Sequence, residues 1–80
     1  MALTLKILTP ESTAFEGPVD KVYLPGTLGA FEVLPSHAPI ISSLDSGKLR
    51  WVSGGEENSI DISFGVARVD NDVVTVCAER

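Results

Sequence analysis

One cysteine, one histidine, six basic residues and no long apolar run make up a sparse inventory, and each scarcity closes off a class of function. Cys77 has no partner for an internal disulfide. The opening MALTLKILTP has neither the basic n-region nor the ~7–15-residue apolar stretch of a secretory signal. No segment approaches the ~20 apolar residues of a membrane-spanning helix. Together these absences point to a reducing, cytosolic setting. Six Lys and Arg against eleven Asp and Glu leave a formal charge of −5, a field that repels phosphate backbones and anionic headgroups. Nucleic acid and direct lipid insertion are therefore not expected.

The same scarcity argues against catalysis and cofactors. Nucleophilic chemistry needs Ser, Cys or Thr beside a base, and His37 and Cys77 are the only candidates of their kinds. Cys77 follows Val74 and Val76 in a final apolar stretch, which predicts a buried, inert thiol. One His and one Cys cannot build a four-ligand zinc site, and the carboxylates are not at calcium-loop spacing. Gly26-Thr27-Leu28-Gly29 lacks the lysine and the helix of a phosphate-binding loop. No catalytic, cofactor-binding or metal residue is assigned.

What is present is period-two alternation. Leu3, Leu5 and Ile7 alternate with Thr4 and Lys6, and Ile60, Ile62 and Phe64 with Asp61 and Ser63, which puts each apolar set on one strand face. Weaker strand-like runs are Val19 to Leu24, Phe31 to Leu34, Ile40 to Leu44, Leu49 to Val52, Val66 to Val69 and Val73 to Ala78. Gly17-Pro18, Pro25-Gly26, Pro35 to Pro39, Asp45-Ser46-Gly47, Ser53-Gly54-Gly55 and Asp70-Asn71-Asp72 read as turns between them. The last of these predicts a tight hairpin. Gly65 predicts a bulge with a kink, or a close backbone approach. Trp51 and Phe64 are expected in the core, and Glu56-Glu57 at a solvated hairpin tip. With about eight such strands and no helical segment, residues 1–80 read as one all-β domain, an antiparallel sandwich or barrel.

Pro25 to Pro39, PGTLGAFEVLPSHAP, carries apolar residues on a backbone shaped by three prolines and two glycines. Leu28, Ala30 and Phe31 on such a constrained loop suit a docking surface; Leu28 and Phe31 suit equally a cap on the sandwich.

These elements also carry a family resemblance. LKILTPESTAFEG (Leu5 to Gly17), Val19 to Val22, LPGTLG (Leu24 to Gly29), LPSHAPII (Leu34 to Ile41), Gly47 to Arg50, Gly65 to Ala67 and Val73 to Val76 together resemble the N-terminal β-sandwich domain of the epsilon subunit of bacterial F-type ATP synthase. The resemblance implies a roughly ten-stranded antiparallel sandwich. It implies a non-catalytic rotor part of the central stalk that links the gamma subunit to the c-ring and couples proton transport to ATP synthesis. Its partners would be gamma, the c-ring and the remainder of the F1 complex, on the cytoplasmic side of the bacterial plasma membrane. Family members usually continue into a two-helix domain that can restrain ATP hydrolysis, whereas this sequence stops at Glu79-Arg80.

Carried onto this sequence, Gly26, Thr27, Leu28, Gly29, Ala30, Phe31 and Glu32 match the c-ring contact, and His37 and Ala38 the part facing gamma. The family often has a carboxylate at the position of Ala30 and another near Leu28, and glycine at the positions of Glu32 and Ser36. Glu32, two residues beyond Ala30, lies on its side of an extended segment and supplies a charge there. A different class, a small peptide-binding β module, is suggested by Thr27 to Phe31, which resembles the carboxylate-binding loop of a PDZ domain. That class requires a helix flanking the groove.

Overall fold

The alternation of Leu3, Leu5 and Ile7 becomes a strand whose three inward residues are fully covered, within a β-sandwich in the computed structural model, which describes residues 3–80. Nine strands follow in chain order: β1 (Leu3–Leu8), β2 (Thr13–Val19), β3 (Lys21–Leu24), β4 (Phe31–Val33), β5 (Ile40–Leu44), β6 (Gly47–Ser53), β7 (Glu56–Ile62), β8 (Phe64–Asp70) and β9 (Val73–Glu79). One sheet has the order β2-β1-β9-β8-β5 and the other β4-β3-β6-β7. About ten antiparallel strands were expected. The described residues form nine, and β1 pairs parallel with β9, from Thr4 opposite Val73 to Leu8 opposite Cys77.

Every strand pair supplies inward residues to one apolar core, whose fully covered members include Leu3, Leu5, Ile7, Val22, Val33, Leu49, Val74 and Val76. Trp51 joins them at 7 % exposure, as expected. No polar side chain is buried among the described residues. Burial of this kind stabilises by roughly 25 cal/mol per Å² of apolar surface removed from water.

Two hairpins show their turn chemistry directly. Asn71 and Asp72 both have positive φ, 55° and 62°, as a two-residue turn with right-handed strand twist demands. Gly54 and Gly55 do the same between β6 and β7, at 60° and 82°. Glu56 and Glu57 are exposed beside that turn.

Several local expectations are corrected. Gly17-Pro18 is not a turn but part of β2, where Pro18 lies opposite Thr4. β2 is an edge strand, so a residue without an N–H is tolerated there. The run Val19 to Leu24 is two strands, because the chain passes at Asp20 from one sheet to the other.

Phe64 is 58 % exposed rather than in the core. Ile62 ends β7 in one sheet and Phe64 opens β8 in the other, so the inward positions shift by one at Ser63 and fall on Gly65, Ala67 and Val69. Ser63 marks the crossing, donating both its N–H (2.7 Å) and its hydroxyl (3.1 Å) to the Glu79 carbonyl. Cys77 is exposed and not buried, since Val74, Val76 and Ala78 take the inward positions of β9.

Gly65 is the close approach and not the kink. Register with β9 runs unbroken through it and register with β5 is unbroken up to it, and a β-carbon there would stand 2.7 Å from the Cys77 carbonyl oxygen.

Candidate functional site

The loop joining β3 to β4 turns on Gly26. Its N–H donates to the Leu24 carbonyl and its own carbonyl accepts from the Gly29 N–H, both at 3.0 Å. A β-carbon at position 26 would lie 2.7 Å from the Gly29 carbonyl oxygen and 2.9 Å from the Phe31 ring, so only glycine fits so tight a return. Thr27 fixes the turn to the outer edge of β5: its N–H and its Oγ1 each reach the Ser43 carbonyl at 3.0 Å, and its hydroxyl also contacts the Ser43 hydroxyl. Below it, the Asp45 N–H donates to the Pro25 carbonyl at 2.8 Å, and Gly26 pairs with Leu44 in a single antiparallel bridge.

This bracing separates the two readings left open for the loop. Leu28 stands fully exposed at the tip, with no cover from the sandwich. Phe31 is half-buried and packs against the core, so it is the cap. Between them, Leu28, Phe31, Ile40 and Ile41 line an open apolar recess. Ala30 and Glu32 are both exposed and line a second recess with Tyr23 and Arg50. Gly26, Thr27, Leu28, Gly29, Ala30, Phe31 and Glu32 therefore form one continuous feature.

His37 and Ala38 lie elsewhere, before β5 rather than at its end. The His37 N–H closes a turn on the Leu34 carbonyl at 3.2 Å, and its Nδ1 donates to the Ala38 carbonyl at 2.7 Å. Ser36, between them, has φ 68° and donates its N–H to Asp72 Oδ1 at 2.6 Å. The Gly26-to-Glu32 loop thus lies along β5 from Ile40 to Ser43, while His37 and Ala38 precede its first residue.

A third feature was not anticipated. On the outer face of the five-stranded sheet, register aligns Leu8, Cys77, Val66 and Ser43 in one row, with exposed Phe64 beside it and Ile41, 73 % exposed, in the next. Apolar residues at both parities of β8 and β9 were the available signal. The outer face of the other sheet is charged and self-paired. Lys48 meets Asp61 and Arg50 meets Glu57, each at 3.2 Å, and the Arg50 guanidinium sits 4.4 Å from the Tyr23 ring centre. Such exposed pairs contribute at most about 1 kcal/mol and mark a solvated face.

Comparison with known proteins decides the family. The family model described as the β-sandwich domain of the ATP synthase delta/epsilon chain matches residues 2–80. The chain belongs to this family. It is similar to the ATP synthase epsilon chain of Parasynechococcus marenigrum, with 43 % identity over 80 residues, covering 100 % of this chain and 59 % of the relative. It resembles that of Synechococcus elongatus at 41 % identity over 83 residues, covering 100 % of this chain and 61 % of the relative. The chain spans about three fifths of the length of these relatives. In fold it matches a chain in a cryo-EM structure of the Euglena gracilis mitochondrial ATP synthase with its c-ring, at TM-score 0.93 and 23 % identity over 99 % of this chain and 51 % of that one.

Proposed function

We propose that this delta/epsilon-family sandwich is a non-catalytic rotor part of an F-type ATP synthase, joining the gamma subunit to the c-ring so that proton transport is coupled to ATP synthesis. The observation that carries the reading is Leu28, a fully exposed leucine held rigidly at the tip of a turn by Gly26 and by the Thr27–Ser43 latch. A braced apolar tip loses little freedom on docking, which suits a contact that transmits force. The ring contact comprises Gly26 to Glu32. Glu32 stands in for the carboxylate absent at Ala30, a substitution supported by their lining one recess. It would pair with basic groups on the ring's polar loops.

Gamma would take His37 and Ala38 together with the apolar outer face around Phe64, Val66 and Ile41. Phe64, Val66 and Cys77 are exposed neighbours on this face, with Ile41 at its margin opposite Arg68, and a small apolar patch of this kind suits a protein contact. In this reading residues 1–80 act as one domain, require no cofactor, and sit peripherally at the cytoplasmic side of a bacterial plasma membrane with the rest of the F1 complex. The alternative peptide-binding module needs a helix beside its groove, and the described residues contain strands only.

Cysteine cross-linking tests the ring contact. Leu28→Cys in a Cys77→Ser background should cross-link to cysteines placed in the polar loops of the c-ring, while a cysteine in place of Ser59, on the solvated face, should not. Equal cross-linking from both positions, or from neither, contradicts the reading.

A further inference from the structure

Two residues other than glycine hold left-handed backbone and meet across the fold: Ser36, φ 68°, and Asp72, φ 62°, joined by the 2.6 Å bond from the Ser36 N–H to Asp72 Oδ1. Glycine suits both backbones better. The preference is sharpest at Asp72, because Asn71 and Asp72 are the central pair of the β8–β9 hairpin and Asn-Gly is the favoured pair in such a turn. A carboxylate there forgoes the easier turn and gains an acceptor within reach of Ser36. A backbone N–H donating to a carboxylate makes a charge-assisted hydrogen bond, roughly twice as strong as a neutral one. The Asp72 carbonyl accepts from the Thr4 N–H at 2.9 Å, so the carboxylate ties the Leu34-to-Ala38 turn to the junction of β1, β8 and β9.

We propose that Asp72 is a positioning residue, whose carboxylate clamps the Ser36 amide and thereby holds the His37–Ala38 loop in one conformation for a protein partner. The clamp stands on the geometry alone; that the partner is gamma rests on the reading above. A loop ordered in advance has less freedom to lose when a partner binds.

Substitutions separate the clamp from the turn that carries it. Asp72→Gly removes the carboxylate while creating the favoured Asn-Gly pair, so the hairpin is retained and the clamp alone is lost. Asp72→Asn keeps an oxygen acceptor without the charge. Ser36→Gly relieves the left-handed backbone and leaves the N–H in place. The experiment measures amide hydrogen exchange by NMR on the full 80-residue chain, together with affinity for purified gamma. In Asp72→Gly, exchange at Ser36 should accelerate about tenfold. It should accelerate less in Asp72→Asn, with Val69 and Val74 in the adjoining ladder unchanged in both. Affinity for gamma should fall several-fold in Asp72→Gly, less in Asp72→Asn, and not in Ser36→Gly. Unchanged exchange at Ser36 in Asp72→Gly overturns the clamp. Accelerated exchange with undiminished affinity retains the clamp and overturns the placement of this loop against gamma.

Discussion

The Phe15 ring lies 4.8 Å from the Trp51 ring, tilted by 41°, and ties the edge strand β2 of one sheet to β6 of the other. Trp51 is almost wholly covered, yet its indole Nε1 finds no acceptor among the described residues. The pair therefore contributes through area and ring contact rather than through hydrogen bonding.

Trp51→Ala should cost about 3–5 kcal/mol, since it opens a cavity between the sheets. Trp51→Phe should cost less than Trp51→Ala, because it keeps a ring against Phe15. Urea denaturation followed by circular dichroism measures both. Equal losses would mean that a ring against Phe15 contributes nothing at this position.

Phe64→Ala should leave stability within about 1 kcal/mol, because the ring faces outward beside Val66. The same change should weaken gamma binding. Denaturation midpoints and calorimetric titration with gamma separate the two effects. A stability loss near 3 kcal/mol would return Phe64 to the core.

Alternation was readable wherever one parity of a strand is clearly apolar, as in Leu3-Leu5-Ile7, and the Asn71-Asp72 turn was readable because so few residues tolerate its backbone. Period two continued through Ser63 points Phe64 inward, but the chain changes sheets there and the inward parity changes with it. Cys77 differs for another reason: β9 has small or apolar residues on both faces, so alternation there does not say which face is inside. Pro18 inside β2 was not legible without knowing that β2 is an edge. The docking loop was legible as a constrained apolar segment, but its division into an exposed Leu28 and a packed Phe31 depends on the Thr27–Ser43 latch, a contact between residues 16 apart. The Ser36–Asp72 bond, 36 residues apart, lay equally beyond local pattern.

Cys77 is expected to react with a maleimide in the native state within about tenfold of its rate in the unfolded chain, since its side chain is exposed on the outer sheet face. Saturating gamma should slow that reaction strongly. Labelling that requires denaturant would contradict the orientation of β9. Unslowed labelling in the complex would move gamma off this face.

The central claim, that the braced tip is a docking element and not part of the core, is tested most directly by calorimetric binding of the chain to an assembled gamma and c-ring complex, comparing wild type with Leu28→Asp. The melting temperature of the isolated chain should correspond to a change within about ±0.5 kcal/mol, as for other exposed positions. Binding should weaken by roughly 2–5 kcal/mol, because the substitution places an unpaired charge in a desolvated contact. Unfolding of the isolated Leu28→Asp chain, or binding indistinguishable from wild type, would contradict the account.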